Sequence, residues 1–215
     1  MIARLVGDAA HVAVGAASPI PAAACMLQRA RNGARPRISL HQRRHGNPFS
    51  DGSRELFDLA GQGRIDVFFL GGAQIDGEAN INLLRADGRR FPGSFGSAFM
   101  YAVVPKVILF RDEHSRRVLV PKVEFVSAAG NPSALVTGKA LFAWQRDRRR
   151  FRLASIHPGH SADEVRADTG FEFDCPENVP QTAAPTAEDL ALLRGPVRGE
   201  IAASYPAFAH RVWPG

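Results

Sequence analysis

Five amide or carboxylate side chains, Gln74, Asp76, Glu78, Asn80 and Asn82, fall within nine positions of the stretch FFLGGAQIDGEANINLL, residues 68–84. They follow directly on an apolar run and on Gly71 and Gly72. In open α/β sheets ligands settle at the carboxyl ends of parallel strands, where the loops face a common crevice. Glycine lets backbone N–H groups approach a ligand closely, and amides and acids can then fix its polar groups. The same residues have a second reading, in which Asp76 and Asn80 close turns through side-chain to backbone hydrogen bonds.

A second candidate is the run Gly93, Ser94, Phe95, Gly96 and Ser97 before the apolar segment AFMYAVV. Consecutive N–H groups at the mouth of a helix suit an oxyanion or a phosphate. Glycines that permit close helix-to-strand packing would leave the same pattern. GGAQIDG lacks the GxGxxG spacing of a dinucleotide site, and Ser94 lies in GSxG and not in the GxSxG of a nucleophile elbow. His41 and His45 stand on a strand-to-loop segment and do not share a helix face, and His157-Pro-Gly-His160 reads as a turn, so no metal site is expected.

The elements that must position these residues alternate in type. HVAVGAA (11–17), RISLHQ (37–42) and IDVFFLGG (65–72) are strand-like, the last apolar on both faces as central parallel strands are. Between them PIPAAACMLQRAR (19–31) and SRELFDLAGQG (53–63) are helical, with Ser18 and Ser53 as N-caps. A glycine turn leads into a short helix within 93–104 and the strand KVILF (106–110). RRVLVPKVEFVS, ALVTGKALFAWQ and RRFRLASIHP then read as strands of more antiparallel character, with Pro121 marking an edge or a break. Ser161 caps a helix, SADEVRAD, and the end of the chain is a helical tail interrupted by Gly195 and Pro196. The pattern is that of an α/β domain with a mostly parallel sheet.

At 215 residues the chain is expected to form one domain spanning 1–215. Cys25 and Cys175 lie far apart without CxxC spacing, which suggests neither a disulfide framework nor zinc and points to a reducing cytoplasm. No stretch approaches the roughly 18 apolar residues of a membrane span, so a membrane role is not expected. The formal charge is +6, but only three of the 27 basic residues are lysine, and no recognition helix or stacking aromatics accompany them. Nucleic acid is therefore not the expected partner, while an anionic small ligand is compatible. RDRRRFR (146–152) reads as a solvated hairpin turn.

In order along the chain, these segments resemble the β subunit of the family I CoA-transferases, especially the glutaconate CoA-transferase branch and its relatives in steroid-ring degradation. FFLGGAQIDGEANINLL is similar to the family's strand ending in a GA-x-Q-V-D-x-x-G-N-x-N loop. PGSFGSA resembles its PGSGGA turn, SIHPGHSADEVRADTGFEF its HPG…TGF signature, and PTAEDLALLR its closing helix.

The resemblance implies a three-layer α/β/α open sheet, mostly parallel, with antiparallel strands in the second half. It also implies a hetero-oligomer with an α-like subunit, an active site shared between the two, and coenzyme A present as the substrate thioester, without a metal. In the transferases a glutamate after the strand matched by RISLHQ attacks the acyl-CoA carbonyl, splitting one exchange into easier steps. ISLHQRRHGNPF contains no glutamate. That favours thioester hydrolysis or ring opening over transfer. Under this resemblance the catalytic candidates are Gln74, Asp76 and His45. Gly71, Gly72 and Gly93 to Ser97 hold the oxyanion or CoA, and Glu78, Asn80, Asn82, Arg43 and Arg44 line the substrate loop. The other expectation is a non-catalytic, CoA-holding scaffold that shapes the partner's pocket.

Overall fold

The computed structural model describes residues 1–41, 49 and 51–214. They form two compact units, one of Met1–Phe69 with Ala183–Gly215 and one of Leu70–Thr182.

The first unit opens with a short helix α1 (Ile2–Val6), which the sequence pattern does not signal, and strand β1 (His11–Val14). Helix α2 (Pro19–Arg31), strand β2 (Arg37–Leu40), helix α3 (Ser53–Gly61) and strand β3 (Val67–Leu70) follow. β1 lies between β2 and β3 and is parallel to both, pairing Val12 with Ile38 and with Val67. All four residues of β1 and of β3 are buried, as strands covered on both faces must be.

Two capping expectations are corrected. Ser18 precedes α2 but makes no capping bond, its hydroxyl donating to Ala16 O (3.2 Å) instead. Gly52, with φ of 60°, occupies the N-cap of α3 and leaves Ser53 as its first helical residue.

The second unit begins with two small ribbons, β4 (Gln74–Ile75) with β5 (Ile81–Asn82), and β6 (Arg85–Ala86) with β7 (Arg89–Arg90). Helix α4 (Ser97–Val103) leads to β8 (Lys106–Arg111), which pairs parallel with β9 (Ala134–Thr137). β10 (Ala140–Gln145) and β11 (Arg150–Ile156) continue antiparallel, joined through the arginine-rich turn as expected. The α/β class, parallel strands first and antiparallel strands in the second half, is what the sequence leads one to expect.

ALVTGKALFAWQ is not one strand but the β9–β10 hairpin, turning at Gly138 and Lys139. RRVLVPKVEFVS is not a strand at all. Pro121 lacks a donor, and the segment's backbone groups are spent on the 74–82 loop: Ile75 N donates to Val118 O and Val120 N to Ile75 O.

Helix α5 (Ala162–Asp168) is capped by Ser161, whose hydroxyl accepts from Glu164 N at 3.1 Å. In the first unit the tail comprises α6 (Ala187–Leu192), α7 (Arg198–Ser204) and α8 (Pro206–Val212), kinked at Gly195 and Pro196 as the sequence predicts. Ion pairs Arg31–Asp189 and Arg29–Glu200 fasten this tail to α2.

Candidate functional site

The polar loop after β3 is a buried brace. Asp76, 2% exposed, accepts four hydrogen bonds. Oδ1 takes the backbone N–H groups of Glu78 (3.1 Å) and Asn80 (3.0 Å), and Oδ2 takes Asn80 Nδ2 (3.2 Å) and Val123 N (3.2 Å). Gln74 is equally committed. Its Nε2 donates to Glu124 (2.8 Å), and its Oε1 accepts from Asn82 Nδ2 (2.8 Å) and Glu124 N (3.1 Å). Asn82, fully buried, also donates to Arg85 O (2.6 Å) and accepts from Leu84 N and Arg85 N (3.1 and 3.3 Å). Glu78 is exposed at the edge of the cluster, accepting from Asn80 Nδ2 (3.3 Å).

Gly72 has a packing reason for its identity: a Cβ there would stand 2.5 Å from the Ile81 side chain and 2.8 Å from Gln74 O. At Gly71 a Cβ would press on Phe110 O at 3.1 Å. These contacts are between parts of the chain, so close packing accounts for both glycines without a ligand.

The second bend reverses direction through left-handed residues, Gly93 at φ 114°, Phe95 at 39° and Gly96 at 69°. Ser94 turns its carbonyl back to accept from both the N–H of Ser97 (2.8 Å) and its hydroxyl. The Ser97 N–H is therefore not free for an oxyanion. Phe95 is 67% exposed and Phe99 is exposed one turn into α4.

Tyr101 joins the two bends. From α4 its buried hydroxyl donates to Ala79 O in the first loop (3.1 Å), and burial, reinforced by the nearby Asp76 carboxylate, pushes its ionisation upward so that the phenol stays a donor. Two concavities of this unit lie elsewhere. One of about 620 Å³ is walled by α5 and residues 175–180, and one of about 490 Å³ by Arg116, Arg166 and residues 169–173 and 175. Neither is lined by 71–82 or 93–97.

Arg43, Arg44 and His45 lie outside the described residues, as does Gln42. His41, which the sequence pattern marks only as half of a metal pair, ends β2. Its backbone N–H donates to Val14 O (3.1 Å), and its ring stacks on Phe68 with centroids 6.3 Å apart. Its Nε2 is buried with no partner among the described residues, and burial lowers its pKa, so the imidazole is neutral near pH 7. The clue was its place at a strand's carboxyl end. Glu124 carries no such clue. Its carboxylate, drawn to lower pKa first by Asp87 N–H and then by the Gln74 amide, completes the brace from fifty residues away, where no local pattern could flag it. His157 donates or accepts between Thr182 Oγ1 (2.8 Å) and Thr137 O (3.1 Å), and His160 pairs with Glu164. Among the described residues no group of three metal-ligating side chains forms. No helix of the described residues is long and apolar enough to cross a membrane.

Parallel strands alternating with helices in the first unit, and in the second a polar loop after β3, a glycine turn before α4 and strands that end antiparallel, follow the pattern of an open α/β fold of the CoA-transferase type. Comparisons with known proteins agree. Over 153 residues the chain is 32% identical to a 3-oxoadipate CoA-transferase subunit of Pseudomonas knackmussii, covering 61% of this chain and 58% of that one. It is 30% identical over 160 residues to the cholesterol ring-cleaving hydrolase IpdB subunit of Rhodococcus jostii, covering 66% and 62%. Its fold matches the crystal structure of the decarboxylase AibA/AibB with a TM-score of 0.75 at 27% identity, covering 92% of this chain and 94% of that chain. No protein-family model matches. The chain spans about three fifths of the length of the curated relatives it matches. The resemblance to family I CoA-transferase β subunits, relatives in steroid-ring degradation included, is thus borne out in sequence and fold.

Proposed function

We propose that this chain is the β-like subunit of a heteromeric enzyme acting on an acyl-CoA thioester, by hydrolysis or carbon–carbon bond cleavage and not by CoA transfer through this chain. What supports the reading most is the pair of family-like bends, 71–82 and 93–97, with helix α4, which follows the second, hydrogen-bonded to the first through Tyr101 and Ala79. Residues 38–49 offer no glutamate to form a glutamyl-CoA thioester, and the similar proteins include a ring-cleaving hydrolase subunit and a decarboxylase. Exposed Phe95 and Phe99 beside the glycine turn suit a surface covered by an α-like partner.

A second reading, that this chain is a non-catalytic scaffold holding CoA, is favoured by one observation. Every side-chain polar atom of Gln74 and Asp76 is engaged, with the loop itself and with Val123 and Glu124, and the four bonds to Asp76 leave its carboxylate no spare acceptor capacity for bond making. His45 stays a candidate base under the first reading.

The test is co-expression with an α-like chain from the same genome, an assay of acyl-CoA cleavage, and intact-mass analysis of both chains during turnover. The expected result is substrate cleavage with no CoA adduct on this chain. A CoA adduct on this chain would overturn the proposed chemistry, and absence of any acyl-CoA activity in the complex would overturn the enzyme reading.

A further inference from the structure

The polar brace ends on a cationic ribbon. Ala86, Asp87, Gly88 and Arg89 make a two-residue hairpin turn with positive φ at Asp87 (52°) and Gly88 (71°), the geometry that suits the twist of a β-ribbon. Arg85 stands directly opposite Arg90 across it, so the two side chains leave the same face. Their face is turned to solvent: Arg85 and Arg90 are both exposed, whereas on the other face Ala86 is buried opposite an exposed Arg89.

Like charges directly opposite each other in a ribbon are destabilising, and among the described residues no salt bridge offsets this pair. Among the described residues no carboxylate lies within salt-bridge distance of Arg85, Arg89 or Arg90. The acids of the neighbourhood are engaged otherwise. Glu124, whose charge Arg85 does feel, is held by Asp87 N (3.1 Å) and Gln74 Nε2 (2.8 Å). Asp87 lies 3.8 Å from Arg117, which also pairs with Glu113.

The ribbon is nevertheless rigidly placed. Asn82 holds both the N–H and the carbonyl of Arg85, and beyond the ribbon Phe91 N donates to Leu84 O (2.8 Å), two residues before the Gly93 turn. A pre-positioned pair of guanidinium forks with no carboxylate in salt-bridge contact among the described residues is the arrangement that recognises phosphate oxygens.

We infer that Arg85 and Arg90 bind the phosphate groups of coenzyme A, anchoring the nucleotide end of the thioester while its acyl end reaches the Gly93–Ser97 turn. This rests on the acyl-CoA reading and adds to it the residues that select CoA over a smaller thioester. Asn82 is then a positioning residue, acting through Arg85.

The experiment compares the wild-type complex, Arg85→Gln/Arg90→Gln, and a charge-matched control, Arg146→Gln/Arg149→Gln, on the turn between β10 and β11. Calorimetry reads binding of CoA and of adenosine 3′,5′-bisphosphate, and kinetics read acyl-CoA against the matching acyl-pantetheine. The ribbon variant is expected to bind both phosphorylated ligands at least ten-fold more weakly and to raise KM for acyl-CoA without changing kcat or the use of acyl-pantetheine. The control is expected to match wild type. Equal affinity in wild type and ribbon variant, with acyl-CoA turnover intact, overturns this inference alone, as does equal weakening in the control. A wild-type complex that neither binds CoA nor turns over acyl-CoA overturns the acyl-CoA reading and this inference with it.

Discussion

Asn82 and Arg85 are bound in both directions: the Asn82 amide donates to the Arg85 carbonyl at 2.6 Å while its oxygen accepts from the Arg85 N–H at 3.3 Å. One fully buried side chain thereby fixes the start of the cationic ribbon and, through Gln74, ties it to the loop after β3.

Replacing Asn82 by alanine takes the donor from the Arg85 carbonyl and the acceptor from the Leu84 and Arg85 N–H groups, while Gln74 Oε1 keeps the Glu124 N–H. Each unpaired buried polar group costs about 1–3 kcal/mol, so Asn82→Ala is expected to lower stability by about 3 kcal/mol in urea unfolding followed by circular dichroism. CoA affinity should fall as well, although Asn82 does not itself touch the ligand in the proposed arrangement. A loss below about 0.5 kcal/mol, the size expected for surface changes, would mean that water replaces the amide and the ribbon is not braced.

Asp76 separates a base from a brace. Asp76→Asn keeps one carbonyl-type oxygen for the Glu78 and Asn80 N–H groups but turns donors toward Asn80 Nδ2 and Val123 N. The expected outcome is a stability loss of about 2 kcal/mol, with kcat of the complex within a few-fold of wild type at temperatures where the variant is folded. A fall in kcat of the order of 10²–10⁴, the range typical of a lost general base, without a matching loss of stability would give Asp76 the catalytic role instead.

These two residues also mark how far the sequence carries. Alternation of buried strands with capped or proline-started helices places β1, α2, β2, α3 and β3 within a few residues, because periodicity and glycine or proline stops act locally. The 116–127 stretch fails for the opposite reason. Its apolar pattern is real, since Val118, Leu119, Val120 and Val123 are buried, but they pack without a continuous ladder: the N–H groups of Val118 and Leu119 turn to Ser115 O, and those of Val120, Val123 and Glu124 go to Ile75 O, Asp76 and Gln74. The cluster of amides and acids is legible as a special loop. That its bonds close inward, on Glu124 and Val123 some fifty residues later, is a long-range fact that no spacing rule encodes.

The two thiols should differ sharply. Cys25 is buried in α2 and burial pushes its ionisation upward, whereas Cys175 is half-buried on the wall of both concavities. Since the thiolate is the reacting species, a chromogenic disulfide reagent at pH 8 is expected to titrate one thiol per folded chain and two in guanidinium. Retention of the fast phase in Cys175→Ser would show that α2 opens on the timescale of the assay.

Acid stability should carry the signature of His114. Its Nδ1 lies 2.7 Å from Thr137 Oγ1 and its Nε2 3.0 Å from Thr169 Oγ1, and its ring stacks on Phe142. Thr137 Oγ1 accepts from Lys139 N and Ala140 N, and its own proton has two acceptors within reach, His114 Nδ1 and Ala140 O (3.1 Å). Thr169 donates to Val165 O, so Nε2–H serves Thr169. These contacts suit the neutral tautomer that carries its proton on Nε2, and a second ring proton would compete with the backbone N–H groups already donated to Thr137 Oγ1. Burial accordingly lowers the pKa from 6.5 to about 4. The folded value lies below the unfolded one, so the contribution is whole above pH 6.5 and is lost as pH falls from there toward 4. With solvent screening allowed for, the loss is on the order of 2 kcal/mol. His11, His41 and His157 are lowered in the same sense, while Glu164, held near 2, titrates below its ordinary 4.5 and leaves the window from pH 6.5 to 5 to histidines. Urea midpoints measured at half-unit steps across that window should decline in wild type and decline less in His114→Gln, whose amide can still donate to Thr169 and accept from Thr137. Parallel slopes in the two proteins would show that His114 takes up its proton in the folded state as readily as in the unfolded one.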